Sequence, residues 1–250
     1  MITHLILAVL IFVHIFFFIA LIRKNFAVID IGWGLGFIVI GLVAYFHHPL
    51  SIKNALLMII VTIWGLRLGS YILMRSRGKG EDPRYTKFRE AWKPHSNLQA
   101  YFKVFLFQGF LMLIVSLPVT LAMAQESKTI SILNWLGVLI WVIGFVLEIS
   151  ADHYLTWWKS QPQNKGHICT SGPWKLCRFP NYFGEVLLWY GIYFASFEPQ
   201  NFWTIIGPFA INFFIYKVTG VPLLEEKYQT REDYREYSKK TPKFIPFTRP

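Results

Sequence analysis

Glu148 and Asp152 stand four residues apart inside an apolar stretch, so on a helix both carboxylates leave from one face. Lys159 follows Asp152 by seven residues, two helical turns, and returns to that face. Two acids and then a cation suit a ligand that offers sugar hydroxyls and then a phosphate. An ion pair with Arg67 or Lys159 is the competing reading. A second set runs through Ser171-Gly172-Pro173-Trp174 and Arg178-Phe179-Pro180-Asn181-Tyr182-Phe183-Gly184-Glu185. Pro180 suits the first position of a helix, where its missing N–H is no loss. The helix start it predicts offers free N–H groups and positive dipole to an anion. Asn181 and Glu185 then share a face, and Gly184 permits close approach of a helix or ligand. Trp64, Arg67 and Tyr71 recur at the i, i+3, i+7 spacing of one helical face. Asp30 is a further acid in an apolar run, and either it or the Glu148/Asp152 pair is available to answer Arg67.

These charges need elements that shelter them. Of the 250 residues, 54% are hydrophobic and only 16% charged, with a mean hydropathy of +0.39, which marks an integral membrane protein. Apolar runs lie at 3–22, 27–46, 54–74, 102–123, 132–156, 182–198 and 202–221. Most approach the roughly 20 residues a helix needs to cross a bilayer. The expectation is an all-α, polytopic bundle of seven transmembrane helices, forming a single membrane domain over 1–250 without linker or repeat. A charge at mid-bilayer costs roughly 2.5 to 3.5 kcal/mol on insertion scales, so Asp30, Arg67, Glu148, Asp152 and Glu185 are predicted to face inward.

Lys and Arg crowd into 75–101, 157–181 and the tail, with Arg23 and Lys24, while the other side keeps little beyond Lys53 and Lys128. The positive-inside rule then puts the N-terminus outside the cytoplasm and the C-terminus within it. The net charge of +11 is a topology signal, and no basic soluble domain exists to bind nucleic acid. The loops 75–101 and 157–181 and the tail 222–250 are expected to cap the cytoplasmic mouth. Within the tail, 223–240 reads as one surface helix whose Tyr228, Tyr234 and Tyr237 could cover a cofactor. The first run lacks a basic n-region and a cleavage site, which predicts a retained helix. Cys169 and Cys177 fit neither a redox nor a zinc pattern. His47 and His48 lack nearby acids and His153 reads equally well as a helix residue, so no metal is expected. Gly32, Gly34 and Gly36 follow no strand, which removes a dinucleotide loop; Gly32 and Gly36 make a small-xxx-small packing surface.

The run 172–185, the spacing Glu148-x3-Asp152, the tail Leu223-Leu224-Glu225-Glu226 with Phe244-Ile245-Pro246-Phe247, and the upstream Gly65-Leu66-Arg67-Leu68 and Gly78-Lys79-Gly80-Glu81-Asp82-Pro83-Arg84-Tyr85 together resemble a known family. It is the bacterial branch of the steroid 5α-reductase-like membrane proteins, often labelled a domain of unknown function. The resemblance covers nearly the whole chain. It implies a seven-helix bundle that takes NADPH from the cytoplasmic side and reduces an activated C=C bond, an activity of lipid metabolism in a bacterial inner membrane. By position it implies cofactor contacts from Asp152, Asn181 and Glu185, with Glu148, Arg178 and Tyr182 of the same runs. Lys159 takes the place of a phosphate-binding arginine, and Arg67 and Tyr71 line the cofactor cavity. Asp30 stands where the family has glutamate and Trp64 where it has tyrosine, the pair that holds the enone carbonyl. The implied substrate is a lipophilic enone, with a hydrogen bond from a protonated Asp30 to its oxygen. The Arg-Phe-Pro-Asn-Tyr element is also similar to membrane methyltransferases of the isoprenylcysteine type, which makes an S-adenosylmethionine-dependent methyltransferase the alternative. A lipid-binding scaffold is the non-catalytic one.

Overall fold

The computed structural model describes residues 1–48, 51–125 and 129–248, so Lys128 lies outside it. The described residues form helices joined by turns and loops, with no strand. In chain order come α1 (Ile2–Arg23), α2 (Val28–His47), α3 (Ile52–Ser76), α4 (Pro83–Ala91), α5 (Ser96–Ala100), α6 (Phe107–Val115), α7 (Leu117–Met123), α8 (Ile132–Ser160), α9 (Pro180–Ala195), α10 (Ile206–Phe213), α11 (Val221–Tyr228) and α12 (Glu232–Lys240). Six helical stretches among the described residues are long and apolar enough to cross a membrane: Ile2–Arg23, Val28–His47, Ile52–Ser76, Ser96–Val115, Ile132–Ser160 and Pro199–Tyr228. The remaining apolar run falls in α9, whose 16 residues rise only about 24 Å. Six spans therefore stand where seven were expected. The chain forms two compact units.

The first unit comprises 1–130 and 196–207. Here α2 and α3 touch at Gly34 and Gly65: a Cβ on Gly34 would lie 2.5 Å from the Gly65 carbonyl oxygen. Gly32 and Gly36 instead receive Phe16 and Met112, so they do pack closely, but against side chains. The expected span 102–123 is broken. A π-helical turn, Tyr101–Leu106, leads into α6, and the chain restarts as α7 at Leu117 because Pro118 has no N–H to continue the ladder. Lys53, read as an outer surface charge, is 2% exposed and donates to Glu198 Oε1 at 2.5 Å. Gln200 donates to Gln125, and Asn201 to the Leu121 carbonyl, at the same end of this unit.

The second unit comprises 131–195 and 208–250. Ser131 and Asn134 form a capping box that starts α8, and Pro180 opens α9 as the sequence predicts. The two helices run antiparallel at backbone contact. A Cβ on Gly137 would meet Ala195 N at 2.1 Å, on Gly144 Leu188 N at 2.5 Å, on Gly184 Glu148 N at 2.7 Å, and on Gly191 Trp141 N at 2.4 Å. Asn134 donates to the Phe194 carbonyl at one end of the pair, and Asn181 to Asp152 at the other. The tail is two helices where one was expected, because the chain leaves helical hydrogen bonding at residues 229–231. Tyr234 and Tyr237 are buried, and Tyr237 Oη donates to the Trp174 carbonyl at 2.5 Å. The Arg178 amide donates to the Pro242 carbonyl, so the tail closes on the loop ahead of α9.

Candidate functional site

In the first unit the site grows from the segment after α3. Gly78 turns the chain at φ 70°, a conformation that favours glycine. Asp82 then caps α4 by accepting from the Arg84 amide at 2.9 Å, with Pro83 in the first helical turn. Glu81 accepts from the Phe26 amide at 2.6 Å and from Arg89 at 2.9 Å, and the Arg89 guanidinium lies 3.8 Å from the Phe26 ring. These contacts hold the start of α4 at the corner between α1 and α2. Arg84 and Tyr85 are thereby delivered to Asp30, in the first turn of α2. Asp30 Oδ1 accepts from Tyr85 Oη at 2.6 Å, and Oδ2 from Arg84 Nη2 at 2.9 Å. Arg84 Nε also donates to Asp82 Oδ1 at 3.0 Å, and Gln108 Nε2 to Tyr85 Oη at 3.5 Å.

Electrostatics fix the protonation of the groups around Asp30. Burial works against charge on Arg84, but Asp30 and Asp82 outweigh it and hold the guanidinium protonated. Burial, followed by the Asp30 charge and hydrogen bond, pushes the Tyr85 phenol well above its ordinary range. Burial alone would raise Asp82; hydrogen bonds from the Arg84 side chain and amide bring it below its usual value. Sequence reasoning looked to Arg67 as a partner for Asp30; the partners the structure gives it are Arg84 and Tyr85. It lies at the start of α2, within reach of α4. Trp64 is fully buried on α3 with its ring edge-on to Phe37. Arg67 lies half-buried, 5.3 Å over the Tyr71 ring, so that predicted face is formed.

In the second unit Glu148 and Asp152 are 2% and 3% exposed and line the inner face of α8 as predicted. Asn181 Nδ2 donates to Asp152 Oδ1 at 3.1 Å, while Asn181 Oδ1 is buried and meets no donor. Glu185 is half-buried one turn further on, and Tyr182 stacks on Phe179 at 6.2 Å. Lys159 is exposed in the last turn of α8. Arg178 donates through Nη1 to Glu225 Oε1 at 2.8 Å and to Tyr234 Oη at 3.4 Å, and its buried Nε meets no acceptor. Burial and the Glu225 carboxylate raise the Tyr234 phenol. Sequence reasoning missed Arg84 and Tyr85 as partners of Asp30, and Glu225 as the partner of Arg178. The Asp82-Pro83 helix start was the available signal for the first pair.

Chemically the second unit offers acceptors: carboxylates and a spare amide oxygen that suit sugar hydroxyls. The first unit offers donors beside an anion. Among the described residues no group of three or more His, Cys, Asp or Glu side chains could hold a metal.

A stretch of 116 residues is 32% identical to a protein named "Steroid 5-alpha-reductase DET2" from Gossypium hirsutum, covering 44% of this chain and 41% of that protein. The chain thus spans well under half the length of the curated relative it matches. No solved structure matches. Residues 16–241 match the family described as "Protein of unknown function (DUF1295)", which agrees with the resemblance read from the motifs, and the chain belongs to that family.

Proposed function

We propose that this membrane protein is an NADPH-dependent reductase of the C=C bond of a lipophilic enone, working in a bacterial inner membrane with its C-terminus in the cytoplasm. The relative named as a steroid 5α-reductase supports an oxidoreductase acting on CH–CH groups. The observation that carries the cofactor is the α8–α9 acceptor set. Buried Asp152 and Glu148, and the Asn181 carbonyl oxygen that lacks a donor, fit a ligand bringing hydroxyl donors. Bound NADPH would supply the hydride.

The chain's own residues bind, orient and exclude water. Asp152, Asn181, Glu148 and Glu185 would accept from the ribose hydroxyls, and Tyr182, Arg67 and Tyr71 would line the cofactor. Arg178 has Glu225 as its counter-ion, so the cation for the 2′-phosphate is sought among Lys159, Arg75 and Arg77, all exposed. Asp30, held in place by Arg84 and Tyr85, and Trp64 are assigned to the enone carbonyl.

Titrating the purified chain with NADPH, NADH and S-adenosylmethionine while following thermal unfolding tests this. NADPH is expected to raise the unfolding temperature more than NADH does, and S-adenosylmethionine to leave it unchanged. A shift from S-adenosylmethionine alone would install the methyltransferase reading. No shift from any of the three would leave a lipid-binding scaffold.

A further inference from the structure

The helix that brings Arg84 and Tyr85 to Asp30 also carries an outward feature. One turn past Tyr85, Phe88 is 42% exposed and stacks on Trp92, with ring centroids 4.9 Å apart and planes 10° from parallel. Lys103 Nζ lies 5.5 Å from the Trp92 centroid, although Lys103 belongs to the next membrane-crossing stretch, Ser96–Val115. A lysine on a span turns its ammonium toward the headgroups, and tryptophan gathers at the same depth. By that rule the aromatic plate lies at headgroup level. Its surroundings continue in both directions. Leu98 and Phe102, exposed and four residues apart on the span, extend the apolar side toward the acyl chains. Lys87 and Lys93, both exposed, extend the charged side. Arg84 and Arg89 are already taken up by Asp30, Asp82 and Glu81. Glu90 is the one acid in 83–103, so the exposed lysines dominate this surface.

We propose that α4 and the turn after it dock on an anionic phospholipid surface. Phe88 and Trp92 enter the headgroup layer, and Lys87, Lys93 and Lys103 meet the lipid phosphates. Zwitterionic headgroups would suit the aromatic plate alone, whereas a net negative layer also answers three clustered ammonium groups. The docking has a consequence inside the protein. With nine residues, α4 is too short to be stable by its own hydrogen bonds, so the lipid becomes part of what holds it in place. Membrane charge thereby sets how firmly Arg84 and Tyr85 are kept on Asp30. This inference does not depend on the reductase reading.

The test reconstitutes the full chain in nanodiscs of phosphatidylcholine alone and of phosphatidylcholine with phosphatidylglycerol at three to one, and follows amide exchange over residues 84–92. Exchange there should be about 10-fold or more slower in the anionic discs, the scale expected of a few basic residues at such a surface. Lys87→Gln, Lys93→Gln and Lys103→Gln combined should make the two discs equal. A control with Lys227→Gln, Lys239→Gln and Lys240→Gln, exposed lysines of the tail, should keep the parental difference. Phe88→Ser should speed exchange in both discs, because it removes the plate and leaves the charges. Equal exchange of the parent in the two discs would overturn the proposal. So would a difference that survives loss of the three α4-side lysines or vanishes with the tail lysines, or a parental rate in Phe88→Ser. Inorganic phosphate added to the phosphatidylcholine discs should change nothing; slowing by phosphate would mean an anion site and not a lipid surface. If the triple variant does not fold, high salt on the parent decides the matter, since screening should erase the difference between discs and a persistent difference would refute the charge pairing.

Discussion

Asp152 and Asn181 show what a single residue does in a buried site. Each supplies an acceptor where the other helix supplies backbone contact, and the bond between them uses one Asp152 oxygen and one Asn181 N–H. Asp152→Ala and Asn181→Ala should therefore weaken NADPH binding, with the protein still monodisperse, because the close backbone contact of α8 with α9 is made by the glycines. Loss of a hydrogen bond to a charged group is worth about 1.5 to 3 kcal/mol, roughly 10- to 100-fold in affinity. Unchanged affinity in a thermal titration would return both residues to a structural role. The residue types here were legible in the sequence, because an acid in an apolar run demands an explanation. Their partners were not. Arg67 and Arg84 are equally arginine, and only the cap at Asp82 and the clamp at Glu81 bring the second to Asp30.

The elements carry that precision, and two of them are exposed to test. Asp82 begins α4, so Asp82→Ala should cost about 1 kcal/mol in the docking of that helix, read as faster amide exchange at residues 84–86. The same contribution has a defined pH dependence. Hydrogen bonds from the Arg84 side chain and amide hold the folded Asp82 carboxyl below the ordinary carboxylate value, so its stabilisation is full above that ordinary value. It is lost only as pH falls through the lower, folded value. Amide protection in α4 that weakens already near neutral pH would contradict this. Along α8 and α9 the glycines leave no room: Gly144→Leu would drive its Cβ into the Leu188 amide and the Gly184 carbonyl. Overpacking of this kind costs about 1 to 3 kcal/mol or more. A lowered unfolding temperature together with weakened NADPH binding is the expected pair of results, because parting the helices also parts Asn181 from Asp152. The sequence disclosed Gly184 as a close-approach position. Gly137, Gly144 and Gly191 went unread, since spacing within one helix does not show which residues of the facing helix they oppose.

Over the whole molecule, length and charge together bear on how often the chain crosses the bilayer. The apolar runs made the all-α membrane class legible, yet α9 fell short by length because a helix sealed against α8 through glycines does not need a full-length apolar surface of its own. Charge placement supplies the expectation that labelling tests, that α9 crosses. Lys175 precedes it in a basic loop, whereas 197–201 follow it and pair with Lys53 and Gln125, at the poorly basic end of the first unit. The topology expected from the sequence, seven crossings with the basic loops and the tail in the cytoplasm, is open to a direct test. Single cysteines at Lys175, Gln200, Asn97 and Thr248, all exposed in the native chain, test this with a membrane-impermeant maleimide in intact cells. The parent protein is a clean blank. Cys177 and Cys169 are buried, and that burial also pushes the Cys177 thiol up to about 11 and raises Cys169, which lowers the reactive thiolate fraction at neutral pH. Gln200→Cys should label in intact cells, and the other three only after the cells are opened. If Gln200→Cys labels only with Lys175→Cys after opening, α9 turns back without crossing, and six crossings replace seven.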